Sequence, residues 1–214
     1  MLFRKHPSEV EVLNDLDGEL VNFYRVCQSH HEELLRCLRY SLLSRKLFQL
    51  LARTDPSSLT DVHRAARYFI LQKCSFGGRV DRQNFAIHVT KRPTFSPKRI
   101  PEIIYRAYRR LLDVQIECLP YQEILRRYDR ETSFFYLDPP YYGINLYNHK
   151  FAHSDFEELA QVLRRVKGKF LLSINNHSEI RKLFADFKIE EVTLAYTIQR
   201  HKDRRYVELF IRNY

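Results

Sequence analysis

The stretch Ser133-Phe134-Phe135-Tyr136-Leu137-Asp138-Pro139-Pro140-Tyr141-Tyr142-Gly143 constrains this chain more than any other. Its first five residues, dominated by aromatic and aliphatic side chains and free of helix punctuation, read as a short strand buried on both faces. The run stops at a carboxylate. Two prolines then end both ladder and helix, because neither has a backbone N–H and each restricts the residue before it. Asp138 is thereby pinned at the carboxyl end of a buried strand, with Tyr141 and Tyr142 on a rigid loop beside it. In open α/β sheets ligands bind at that end. The four letters Asp-Pro-Pro-Tyr by themselves also suit an ordinary turn after a strand.

The rest of the chain fits an α/β protein. At 214 residues and 44% hydrophobic content it is one or at most two globular domains. No signal peptide and no bilayer-length apolar run is evident, which predicts a cytoplasmic protein with no membrane partner. Cys27, Cys37, Cys74 and Cys118 form no Cys-x-x-Cys pair, so reduced, mostly buried thiols are expected rather than a disulfide frame or a metal site. Residues 9–14 alternate as a strand and end at Asn14-Asp15-Leu16-Asp17. Asp17 can cap the following helix. Asp15 then stands at a strand's carboxyl end, facing the same crevice as Asp138, where an acid either accepts hydrogen bonds from ribose hydroxyls or serves as a second cap.

Residues 30–112 read as a mainly helical insertion: one helix over 32–52, a second capped by Thr60 or Asp61, and a third from about Pro101 to Leu112. Between the last two lies a cationic, aromatic-rich stretch. From Arg79 to Arg110 nine Lys or Arg residues stand against two acids, and the whole chain carries a formal charge of +10. Phosphate binding and a merely solvated basic face are both open to such a run. Past Leu112 strands and helices alternate again, with strands over 114–119 and 169–175, and the final strands 189–196 and 206–211 predict an antiparallel hairpin at the sheet edge with a basic tip. His149 and His153 have metal-pair spacing but no third ligand, so no metal is expected.

With Asp-Pro-Pro-Tyr at a strand end, Glu11–Val26 (EVLNDLDGELVNFYRV), Cys74–Pro93 (CSFGGRVDRQNFAIHVTKRP) and Glu208–Tyr214 (ELFIRNY), the chain resembles the Dam-like (D12 class) S-adenosylmethionine-dependent DNA adenine-N6 methyltransferases, in the variety common in phages and prophages. The resemblance implies a methyltransferase-type (Rossmann-like) mixed sheet with a C-terminal antiparallel hairpin and an inserted helical DNA-recognition domain. It divides the chain into a catalytic part, 1–29 with 113–214, and a target-recognition part, 30–112. It implies transfer of a methyl group from S-adenosylmethionine to N6 of an adenine flipped out of double-stranded DNA. Asp138 and the Pro139 carbonyl would hold the amino N–H groups, with Pro140 stiffening the loop and Tyr141 stacking on the base. Asp15 would bind the cofactor's ribose, with Asp138 beside it, and Arg79, Arg82, Lys91, Arg92, Lys98 and Arg99 would bind DNA. Some relatives carry, at the position of Pro120, an acid that bonds the cofactor's adenine; that contact does not transfer here.

Members of that family begin with a further strand–loop–helix unit whose glycine-rich loop lies under the methionine part of the cofactor, and nothing before Glu9 matches it. The expectation is therefore that the chain starts upstream, that a second chain supplies the strand, or that this is a DNA-binding remnant with no competent cofactor site. Binding of S-adenosylmethionine by these 214 residues alone is expected to be weak.

Overall fold

The computed structural model describes residues 2–39, 41, 44–75, 98–144, 151–195 and 205–214, and the chain packs as two units, Met1–Pro120 and Tyr121–Tyr214.

In the first unit strand β1 (Glu11–Asn14) pairs in parallel with β2 (Val114–Glu117), placing Glu11 opposite Val114 and Asn14 opposite Glu117. Parallel neighbours need a crossover. It contains α1 (Gly18–Ser29), α2 (His31–Arg39), α3 (Arg45–Arg53), α4 (Asp61–Cys74) and α5 (Ile100–Leu111). The Asp17 carboxylate accepts the Glu19 and Leu20 N–H groups and so starts α1. Thr60, rather than Asp61, caps α4 by accepting the His63 N–H.

The leucine-rich stretch expected as a single helix over 32–52 is two helices. Ser44 adopts extended backbone (φ −135°, ψ 145°) and its hydroxyl accepts the Leu47 N–H, so α3 starts afresh within a continuous leucine pattern. Thr54 closes α3, and Asp55-Pro56 opens a 3-10 turn.

These helices share one core with α1. Cys27, Leu34, Leu38, Ala65, Ile104 and Leu111 are all fully excluded from water, and each large apolar side chain among them stabilises the unit by about 1.5–3 kcal/mol. The Gln28 amide donates to the Leu111 and Val114 carbonyls and holds the turn between α5 and β2 onto α1.

Arg110 corrects the reading of the basic run. Its guanidinium forks onto Glu11, Nη1 to Oε2 at 2.6 Å and Nη2 to Oε1 at 2.9 Å, and its Nε donates to the Leu2 carbonyl. Only 7% of the Glu11 side chain is exposed, and Lys5 is its second cationic partner. The Arg110 hydrogen bonds pull the Glu11 pKa down to about 2, against the opposing effect of burial. A cation held this way is a structural tie inside the first unit, not a free contact for a polyanion.

The second unit contains α6 (Tyr121–Tyr128), β3 (Phe134–Leu137), α7 (His153–Leu163), β4 (Lys169–Asn175), α8 (Ser178–Leu183), β5 (Lys188–Ala195) and β6 (Arg205–Arg212). Its sheet runs β3-β4-β6-β5, with β3 parallel to β4 and β6 antiparallel to both its neighbours, so the sheet is mixed. The period-2 alternation of β4 sends Phe170, Leu172 and Ile174 to one face, all at 0% exposure. There they pack with Phe156 and Leu159 of α7, Ile180 of α8, and Leu209 and Ile211 of β6.

Alternation also corrects the reading of β3 as buried on both faces. Phe135 and Leu137 pack against that core, whereas Phe134 and Tyr136, on the other face, are 49% and 41% exposed. A close approach fixes where β3 and β4 begin. The Lys169 N–H donates to the Ser133 carbonyl at 2.8 Å, and a Cβ on Gly168 would lie 2.7 Å from that carbonyl oxygen and 2.8 Å from that of Arg130.

Candidate active site

The segment after β3 is held against β4 and β6 by polar side chains that point away from the core. The register pairs Leu137 with Leu172, and Asn175 at the end of β4 lies opposite Glu208 of β6. On the face opposite Phe170, Leu172 and Ile174 this leaves Ser173, Asn175 and Glu208.

Each grips a different part of the loop. The Ser173 hydroxyl donates to Asp138 Oδ1 at 3.1 Å and lies 3.0 Å from the Tyr136 hydroxyl. The Asn175 amide brackets Tyr142, its Oδ1 accepting the Tyr142 N–H at 2.8 Å and its Nδ2 donating to the Tyr142 carbonyl at 3.1 Å. Glu208, buried at 7% exposure, accepts the Tyr141 hydroxyl. The Tyr142 ring is seated among His177, Phe156 and His153, with centroids 4.5, 5.3 and 5.8 Å away, and its hydroxyl lies 3.0 Å from His153 Nδ1. The Ile144 N–H donates to the Tyr141 carbonyl, and Gly143 at φ +75° supplies the left-handed residue this turn needs.

Asp138 thus combines an exposed face with a fixed position. The protein around its carboxyl withholds water and pushes the pKa up, the Ser173 hydrogen bond pulls it back, and the charge of Glu208 pushes it up again. Pro139 and Pro140 are half-buried beside it and bring carbonyls without N–H groups. Such a loop offers fixed acceptors next to an aromatic ring, which suits a planar group bearing N–H donors.

Asp15 belongs to the first unit. It is half-buried at the end of β1, and its Oδ1 accepts the Asp17 N–H at 2.8 Å. Asn14 beside it ties the ends of β1 and β2 through both halves of its amide, at 2.9 Å to the Leu119 carbonyl and 2.9 Å to the Leu119 N–H. Burial first and the nearby Asp15 charge second push up the pKa of the Tyr24 hydroxyl.

Lys98 and Arg99 lie exposed at the start of α5, while Arg79, Arg82, Lys91 and Arg92 lie outside the described residues, as do His149 and most of the basic tip between β5 and β6. His153 contacts Glu157 at 3.3 Å and the Tyr142 hydroxyl. Among the described residues no group of three or more His, Cys, Asp or Glu side chains is placed to share a metal ion.

The sequence reading missed Ser173 and Glu208 as parts of this site and saw in Asn175 only the polar end of a strand. A signal was there: Ser173 and Asn175 stand two apart after the apolar residues Phe170–Leu172, and Glu208 interrupts the apolar run from Val207 to Ile211. Alternation puts such residues on one face, yet it cannot say which loop they meet.

Comparison with known proteins agrees with this architecture. The family model for D12 class N6 adenine-specific DNA methyltransferases matches residues 2–198. Among curated proteins the chain is similar to Type II methyltransferase M1.LlaDCHI of Lactococcus lactis subsp. cremoris, 25% identical over 236 residues covering all of this chain and 82% of the relative. It is similar to Type II methyltransferase M.MjaIII of Methanocaldococcus jannaschii, 27% identical over 242 residues, covering all of this chain and 83% of the relative. Type II methyltransferase M.CviBI of Paramecium bursaria Chlorella virus NC1A is 25% identical over 219 residues, which span 96% of this chain and 82% of the relative.

Proposed function

This chain belongs to the family of D12 class N6 adenine-specific DNA methyltransferases, and we propose that the loop from Asp138 to Tyr141 is where it carries out methyl transfer on an adenine turned out of duplex DNA. It is a site-specific DNA methyltransferase acting at adenine N6, in keeping with its Type II relatives. The observation that carries the proposal is the Asp138 carboxylate fixed by Ser173 at the end of β3, with Tyr141 and Tyr142 each tied down beside it.

An exocyclic amino nitrogen is a poor nucleophile, because its lone pair is delocalised into the ring. Asp138 would accept one N–H and the Pro139 carbonyl the other, which turns the lone pair out of the ring plane and aims it. Pro140 keeps the loop stiff, and Tyr141 stacks on the extruded base. The S-adenosylmethionine donor that the family implies supplies, when bound, a methyl group on a positively charged sulfur. One residue of the first unit suits the ribose of such a ligand. Asp15, half-buried at the end of a parallel strand with one oxygen already oriented by the Asp17 N–H, is an acceptor for a ribose hydroxyl.

Residues 30–112 form the target-recognition part in this reading, with Arg79, Arg82, Lys91, Arg92, Lys98 and Arg99 neutralising phosphates. The net charge of +10 supports a polyanionic substrate. Asp138→Ala is expected to abolish transfer of tritiated methyl groups to unmethylated duplex DNA while leaving DNA affinity in a filter-binding assay largely intact. Asp138 acts in the transition state, whereas affinity comes mainly from phosphate contacts elsewhere. Retention of most of the turnover by the alanine variant would remove Asp138 from the mechanism.

A further inference from the structure

A carboxylate in the interior of a sheet is costly unless something needs it there. Glu208 is such a group, lying between Val207 and Leu209 on β6 at 7% exposure and accepting the hydroxyl of Tyr141. Across the ladder stands Asn175, which holds the main chain of Tyr142 on both sides. The two tyrosines after the proline pair are therefore fixed by different means. Tyr142 is held by its backbone and by a ring seated among His177, Phe156 and His153. Tyr141 is reached through its hydroxyl, at the far end of its ring.

That tether matters for a stacking platform. A ring that is already ordered loses less conformational freedom when a base lands on it, and a hydrogen bond at the hydroxyl restricts the ring without covering its faces. A charged acceptor makes the tether roughly twice as strong as a neutral one. We propose that Glu208 is a positioning residue for base capture: its carboxylate holds the Tyr141 hydroxyl and so fixes the place and direction of the ring on which the flipped adenine stacks. This rests on the reading above that Tyr141 is the stacking ring.

The test compares the full chain with its variants in single-turnover transfer of tritiated methyl groups to duplex DNA from a host without adenine methylation, alongside KM for that DNA. Fluorine NMR of protein labelled with 3-fluorotyrosine reports the Tyr141 ring in the protein alone. Tyr141→Phe keeps the ring, loses the tether and is expected to lower the rate about tenfold with little change in KM. Glu208→Ala should do the same, the double variant should lose no more than either single one, and Glu208→Gln, which keeps an acceptor, should fall in between. The Tyr141 fluorine resonance should move in both Glu208 variants. A Tyr141→Phe rate equal to that of the unaltered chain, losses that multiply in the double variant, or an unmoved resonance in Glu208→Gln would each overturn the proposal.

Tyr141→Ala separates this proposal from the one it rests on. Loss of turnover in Tyr141→Ala with full turnover in Tyr141→Phe leaves stacking in place and removes Glu208 from it. Full turnover in Tyr141→Ala removes the stacking itself. Should Glu208→Ala not fold, Tyr141→Phe and the fluorine signal of Glu208→Gln decide the matter.

Discussion

Replacing Arg110 by alanine separates a structural cation from a DNA contact within the same basic run. The guanidinium makes three hydrogen bonds, two to Glu11 at 2.6 and 2.9 Å and one to the Leu2 carbonyl at 3.1 Å. Truncation would strand a carboxylate whose side chain is only 7% exposed. Breaking a buried pair from one side costs about 3–5 kcal/mol, and Lys5 remains as a second partner, so the lower end, about 3 kcal/mol, is expected. Urea unfolding followed by circular dichroism measures this as a lower midpoint at unchanged slope. The pH dependence is a second check. Glu11 is depressed from 4.5 to about 2, so the stability it contributes is fully present above about pH 4.5 and is lost as pH falls through 2. Removing Arg110 removes most of that depression, and the gap between the two proteins should therefore narrow over the same interval. A loss below about 1 kcal/mol, or a gap that is the same at pH 7 and pH 3, would refute the reasoning. Lower DNA affinity with unchanged stability would make Arg110 a phosphate contact rather than a structural tie.

Ser173→Ala should move the acid limb of the pH–rate profile for methyl transfer to higher pH, because the Ser173 hydrogen bond is what pulls down the already raised Asp138 pKa; an unmoved limb would mean that another group sets it. Gly168→Ala should destabilise the second unit by about 1–3 kcal/mol, since the added Cβ meets two backbone carbonyls, and an unchanged urea midpoint would contradict the close approach. Lys98→Gln combined with Arg99→Gln should reduce the slope of log DNA affinity against log salt by about 2 if both exposed cations displace counterions, and an unaltered slope would place them away from the phosphates.

Local chemistry made much of this protein legible in its sequence. The proline pair ends β3 at Leu137 and leaves Asp138 just past the strand, Asp17 and Thr60 cap the helices they precede, and Lys169–Asn175 is β4 as read. Each of these is decided within a few residues, by a missing N–H, a short acceptor side chain or a cluster of apolar side chains such as Phe170–Leu172. The break between α2 and α3 was legible in principle, but leucine periodicity outweighed one serine, and there only the fold chose between two local signals. Tertiary structure alone decided the partners of the site. Ser173 reaches Asp138 across 35 residues, Glu208 reaches Tyr141 across 67, and Glu11 draws Arg110 out of the basic run across 99. No periodicity encodes such pairings, because a side chain's position along a strand tells which face it takes and leaves open what the fold brings against that face.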